Sequence, residues 1–280
     1  MKIYIHTQYY LPEVGAPQRR LSELAHFLEK NNHDVCILTS MPNYPLGKIF
    51  SGYKGLYTTE SINNVKIIRS FIYPTQSVKI IPRLFSYFSF VFSSLLVGLF
   101  TLKKSDYFLT ESPPLFLGIS GYILSKFTSS KFIINISDLW PGSAVDLGIV
   151  SDGKKLKMAY TLEKFLYEKS FFVTGQSFGI IDSINSRYPQ VHTYRFSNGV
   201  NTERFNSKNK SDILDKWKNN KKFSIVYAGL HGLAQGLDQI LNAAKIIEDK
   251  NPDVQFIFIG DGPEKSKLII MNKKLKLSNV

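Results

Sequence analysis

Short apolar runs alternate with helical stretches almost throughout this sequence, and that rhythm restricts the available folds more than any other feature. "KIYIHT" reads as a strand. "PQRRLSELAHFLEKN" then reads as a helix, with Leu21, Leu24, Ala25 and Leu28 on one face and Pro17 suited to its first turn. "DVCILTS", "VKIIRSF", "DYFLT", "KFIINIS", "FFVTG" and "HTYRFS" read as further strands. Helices are predicted at "PLFLGISGYILSKF", "KKLKMAYTLEKFLYEKS" and "SFGIIDSINSRY". Short strands that are apolar throughout belong in a parallel sheet with both faces covered, so the pattern predicts an α/β fold.

A polar stretch, "NTERFNSKNKSDILDKWKNNKK", interrupts the rhythm over 201–222 and reads as a linker with a short surface helix. Beyond it the pattern restarts with "FSIVYAG", "LDQILNAAKIIEDK" and "VQFIFIG". The expected organisation is a Rossmann-like unit over 1–200, the linker, and a second, smaller Rossmann-like unit over 223–280.

Composition narrows the function. Hydrophobic residues at 44% and charged residues at 20% are those of a globular protein. The single cysteine, Cys36, lies in an apolar run and reads as a core residue, which suits a reducing compartment. "MKIYIHTQYY" lacks the apolar core and small-residue cleavage site of a signal peptide, so a cytoplasmic location is expected. The formal net charge of +13 calls for an anionic partner. Its basic residues carry no nucleic-acid motif, which favours a phosphorylated substrate or an anionic membrane surface.

One segment stands apart. Leu84 to Leu102, "LFSYFSFVFSSLLVGLFTL", is uncharged and flanked by Lys79, Arg83, Lys103 and Lys104. Three readings compete: a membrane-spanning helix, a buried core helix, and a helix lying in the membrane interface. The third fits the aromatic content and the basic flanks best.

Candidate chemistry lies at strand-to-helix turns. "YAGLHGLAQGLDQIL" places Gly229, Gly232 and Gly236 between a strand and a helix. There backbone N–H groups and the helix dipole suit a phosphate, although a tight turn without ligand has the same spelling. "IGDGPEKSKL" supplies a second such turn with Gly260, Asp261 and Gly262, and two turns at the carboxyl ends of successive parallel strands face one crevice. The loop "YYLPEVGAPQRRL" holds only Gly15, which argues against a nicotinamide or flavin fingerprint and so against a dehydrogenase or epimerase. Asp138 in "NISDLWPGSAVDLG" ends an apolar strand, where its carboxylate either orients or deprotonates a hydroxyl or caps the next turn. Asn198 and Gly199 form either a ligand-facing turn or a plain hinge. The five histidines show no ligand spacing and no D-x-D occurs, so no metal site is expected.

"QYYLPEVGAPQRRLSELAHFL", "TSMPNYPLGKI", "SDLWPGSAVDLG", "SNGV", "YAGLHGLAQGLDQIL" and "IGDGPE" stand in the order seen in glycosyltransferase family 4. They most resemble its bacterial surface-polysaccharide branch, which includes the L-fucosamine transferases. The resemblance implies the GT-B fold, with a nucleotide-sugar donor on the C-terminal domain and an acceptor on the N-terminal one. It further implies transfer with retention, no obligatory metal or cofactor, and a polyprenyl-diphosphate-linked glycan acceptor at the inner face of the cytoplasmic membrane. By position, Asp138 falls at the reaction centre and Gly15 faces the donor diphosphate. Gly229 to Gly236 would meet that diphosphate, Gly260 to Gly262 the nucleoside, and Asn198 the domain boundary.

Two departures accompany the resemblance. Gln235 stands where many members carry a lysine, so phosphate affinity must rest on backbone donors or another cation. The family's paired-glutamate motif would lie beyond Val280, so a C-terminally truncated chain is expected. Its alternative reading is a catalytically incomplete remnant that binds membrane or acceptor only.

Overall fold

The computed structural model describes residues 1–77, 79–146, 153–203, 205–206 and 222–280. Two compact units emerge, Met1–Thr202 and Glu203–Val280. The surface helix expected within 201–222 lies outside the described residues.

The first unit is built on an eight-stranded sheet. In chain order its elements are β1 (Lys2–His6), α1 (Ala16–Lys30), β2 (Asp34–Ser40), β3 (Tyr57–Ile62), β4 (Val65–Ser70), α2 (Ile80–Thr101) and β5 (Tyr107–Ser112). They continue with α3 (Leu117–Phe127), β6 (Lys131–Ile136), α4 (Gly142–Asp146), α5 (Lys154–Lys169), β7 (Phe172–Gly175), α6 (Phe178–Arg187) and β8 (Thr193–Arg195). The strand order is β3-β4-β2-β1-β5-β6-β7-β8. Every pairing is parallel except β3 with β4. The order reverses between β1 and β5, and in an open α/β sheet the crevice outside the strand carboxyl ends at such a switch is where ligands bind.

Strand alternation divides the core between the two faces. Ile3, Ile5, Ile37 and Ile67 pack with Leu21 and Ala25 of α1. The residues between them, Tyr4, Cys36, Leu38, Ile68 and Phe108, pack with Val97 of α2 and Leu124 of α3. Farther along the sheet, Phe132, Ile134 and Val173 meet Leu166 and Tyr167 of α5 and Ile184 of α6. Glu163 of α5 is fully buried and receives both Arg187 Nη1 (2.6 Å) and Nη2 (2.9 Å), with the Tyr188 hydroxyl at 2.9 Å. This fork locks α5 to α6.

The helix α2 is neither fully buried nor exposed all round. Phe90, Val91, Ser94 and Val97 face the protein. Ile81, Phe85, Phe92, Leu96 and Phe100 face outward, with Phe100 87% exposed. The helix is long and apolar enough to cross a membrane by length and composition, but one side of it is core.

The second unit holds β9 (Phe223–Ala228), a 3-10 turn at Leu233–Gln235, α7 (Leu237–Lys250), β10 (Val254–Ile259) and α8 (Lys265–Leu275). β9 and β10 pair in parallel from Phe223↔Val254 to Ala228↔Ile259. Leu237, Leu241 and Ala244 of α7 are buried, as is Phe256 of β10. Two Rossmann-like α/β units, the second with a two-stranded sheet among the described residues, make a GT-B-type fold.

Candidate functional site

In the first unit, the buried strands turn polar at their carboxyl ends, where the backbone leaves the ladder and side chains must supply its partners. Glu111 of β5, 4% exposed in its side chain, pairs with Arg20 Nη2 of α1. Its other oxygen accepts from Asn135 Nδ2 of β6 at 2.8 Å, and Thr174 of β7 donates to Asn135 Oδ1 at 2.7 Å. Ser137 also donates to Glu111, and itself accepts from Arg20 Nη1 (3.0 Å) and Gln176 Nε2 (2.6 Å). Asn198 closes the network, accepting from Arg20 Nη1 at 3.3 Å and donating to Gln176 Oε1 at 3.1 Å. A buried carboxylate is tolerated only when paired and fully hydrogen-bonded, and Glu111 meets that condition.

Two candidate residues adjoin this network. Asn198 is part of it, and Asp138 directly follows Ser137. The Asp138 side chain is exposed and accepts from Ser143 Oγ of α4 at 3.0 Å. It is thus a local turn partner with a carboxylate still open to solvent.

Gly15 caps the N-terminus of α1. Its φ of 172° is extended backbone, so conformation alone does not demand glycine; a β-carbon there would lie 2.5 Å from Gln18 Oε1. The loop carrying Gly15 is held from beneath. Glu13, 1% exposed, accepts from the backbone N–H groups of Asn43 (2.7 Å), Tyr44 (2.8 Å) and Tyr10 (3.3 Å). Burial pushes its carboxyl up, against the pull of those three N–H groups. Arg69, fully buried, donates to the Leu11 and Ser40 carbonyls and to Glu60 (Nε, 2.5 Å).

In the second unit the two glycine turns are zipped together. The parallel ladder continues past the strands through Gly229 N–H to the Ile259 carbonyl and His231 N–H to the Asp261 carbonyl, both 2.9 Å. Glu264 N–H then donates to the His231 carbonyl at 2.9 Å. Glycine is required by this approach: a β-carbon on Gly260 would lie 1.9 Å from the Gly229 carbonyl oxygen, and one on Gly262 2.4 Å from that of His231. Gly260 and Gly262 also have φ of +157° and +156°. Gly232 opens the 3-10 turn, and Gly236, in the left-handed region at φ 55°, joins it to α7. Gln235 is exposed beside Gly232. Lys265 Nζ donates to the Gly260 carbonyl at 3.1 Å and stands 3.8 Å from the exposed Asp261 carboxylate. A cation therefore sits at the second turn, and the uncharged Gln235 at the first.

Sequence reasoning missed Arg20, Glu111, Asn135, Gln176 and His231. A glutamate ending the apolar run "DYFLTES" was the available signal, since a charge in a buried strand needs a partner.

No protein-family model matches the chain. Among curated proteins it is similar to the colanic acid biosynthesis glycosyl transferase WcaI of Escherichia coli K12. They are 24% identical over 293 residues, spanning the whole chain and 70% of the relative. Among solved structures it is similar to sucrose-phosphate synthase from Thermosynechococcus elongatus, with a TM-score of 0.72 and 13% identity. That match covers 99% of this chain and 68% of that one. Anabaena HepE, solved in complex with UDP-glucose, matches with a TM-score of 0.65 and 13% identity, over the whole chain and 67% of HepE. The chain has the GT-B fold shared by glycosyltransferases that use nucleotide-activated sugars.

Proposed function

We propose that this protein is a retaining glycosyltransferase that moves a sugar from a nucleotide-sugar donor to a polyprenyl-diphosphate-linked glycan in surface-polysaccharide assembly. The observation that carries the reading is the similarity to WcaI over the entire chain, in the same GT-B fold as HepE, which was solved with UDP-glucose. On this reading the unit Glu203–Val280 takes the donor. The turn of Gly229, Gly232, Gln235 and Gly236 receives the diphosphate against the first N–H groups of α7, since the Gly229 N–H is already given to the Ile259 carbonyl, and Gly260, Asp261 and Gly262 line the nucleoside side. The unit Met1–Thr202 takes the acceptor. The exposed Asp138 carboxylate orients the acceptor hydroxyl and draws off its proton. No protein cofactor or obligatory metal enters this scheme.

The protein works at the cytoplasmic face of the inner membrane, held there by α2. Its outward Ile81, Phe85, Phe92, Leu96 and Phe100 lie between the exposed Lys79 and the exposed Lys103 and Lys104. Apolar side chains between basic ones suit the boundary of an anionic bilayer, and the buried Phe90–Val97 side argues for lying on the membrane rather than crossing it. The test is incubation with a panel of radiolabelled nucleotide sugars and polyprenyl-diphosphate-linked acceptors. Transfer from one of them is expected; neither transfer nor donor hydrolysis across the panel overturns the reading.

A further inference from the structure

His231 lies in the first glycine turn and against the second, 4% exposed, and neither ring nitrogen has a hydrogen-bond partner. Every imidazole carries at least one N–H donor, so a buried ring without partners is an unspent donor. The ring is held by aromatic neighbours rather than polar ones: Tyr227 with centroids 6.1 Å away and Phe258 edge-on at 6.4 Å. Its backbone is fixed on both sides, through the Asp261 carbonyl and the Glu264 N–H. Nε2 is directed at Gly260, where an added β-carbon would come within 3.1 Å of it. The imidazole is therefore pinned in place beneath a floor from which side chains are excluded.

A helix start and a cation adjoin that floor, beside one exposed carboxylate, Asp261, which Lys265 faces at 3.8 Å. The start of α7 presents its positive end, reached through the left-handed Gly236. Lys265 Nζ stands on the Gly260 carbonyl at 3.1 Å. We infer that His231 is a donor-binding residue, whose Nε2–H donates to a phosphate oxygen of a nucleoside diphosphate held on the Gly229–Gly236 turn, where that turn meets Gly260. The inference rests on the nucleotide-sugar reading and adds to it a side chain that no glycine pattern indicates. Glycine supplies approach, the helix start and Lys265 supply charge, and His231 supplies a directed hydrogen bond from below.

The test is calorimetric titration of the full chain and its His231→Phe variant with UDP, GDP and ADP. It is paired with imidazole 15N spectra of the unsubstituted protein with and without the bound nucleotide. One nucleotide is expected to bind, its affinity to fall about tenfold or more in His231→Phe, and the His231 Nε2 resonance to shift on binding. If the unsubstituted protein binds none of the three, the donor reading fails with this inference. If one binds, and His231→Phe binds it equally, only the role of His231 is overturned. Weaker binding in the variant without a shift in the unsubstituted protein's Nε2 resonance marks a packing residue and also overturns it.

Discussion

Arg20 of α1 spans 91 residues of sequence to pair with Glu111 at the carboxyl end of β5. The same guanidinium reaches Ser137 and Asn198. One side chain thus ties a helix, two strand ends and the segment after β8. Arg20→Ala leaves a carboxylate buried without its counter-charge, and the expected loss of stability is about 3–5 kcal/mol. Adding Glu111→Leu to that variant should restore part of the loss, because the orphaned charge goes too. Urea unfolding of both single variants and the double variant measures the coupling; strictly additive losses would contradict the pairing.

His6 predicts a specific acid sensitivity. Its ring is fully buried between Phe90 (5.7 Å) and Phe108 (5.8 Å), and burial holds it down to about 3 from an ordinary 6.5. Below pH 6.5 the unfolded chain takes up a proton that the folded chain refuses. Stability is therefore complete above that pH and falls as the pH drops towards 3, by up to about 1.4 kcal/mol per pH unit from this group. His6→Phe should flatten the curve between pH 6 and 4. Unfolding free energies across that range check it, and an unchanged slope would mean that His6 is solvated.

Gly121 in α3 tests how closely the helix lies on the sheet. A β-carbon there would sit 2.1 Å from Thr110 Oγ1 and 3.0 Å from Thr110 Cβ. Thr110 is fully buried in β5 and has no room to retreat. Gly121→Ala should cost about 1–3 kcal/mol through overpacking, despite alanine's better helix propensity. Gly121→Ala combined with Thr110→Ala should recover much of that, as read from thermal unfolding.

Gly232 tests the first glycine turn. Gly232→Val places a branched side chain where a diphosphate would approach the backbone, and nucleoside-diphosphate affinity should fall by about an order of magnitude or more. Circular dichroism checks that the fold survives; equal affinity in a folded variant would assign the turn a structural role.

The α2 surface gives a membrane prediction. Flotation with anionic vesicles should carry the protein upward, less so at high salt. Phe85→Ser with Phe92→Ser should abolish flotation while leaving unfolding nearly unchanged, since both rings are exposed. Resistance to alkaline extraction would instead indicate a spanning helix.

Most strands could be read from sequence because each is an uninterrupted apolar run, as in "DVCILTS" and "KFIINIS". β3 escaped because "YTTESI" alternates at the sheet edge, half buried and polar. Its signal was the Asn63–Asn64 pair, both at positive φ, turning it back onto β4. The glycine turns were legible because a close approach of two backbones excludes every other residue. The Arg20–Glu111 network was not, since no local spacing joins partners 91 and 117 residues apart. For α2, composition alone left three readings open, and the structure adds that Phe90, Val91, Ser94 and Val97 are buried while Phe92, Leu96 and Phe100 are exposed.

The helix α1 is capped by Gly15 and carries Arg20 little more than a turn later, about 7 Å along its axis. It therefore acts as a ruler. Whatever tilts or shifts it displaces the loop end and the polar network by related amounts, and neither can be adjusted alone. Variation in this part of the protein should then arrive in pairs, a change beneath the loop at Glu13 or Arg69 matched by one around Glu111. Relatives that separate the two would need a break in the helix between them.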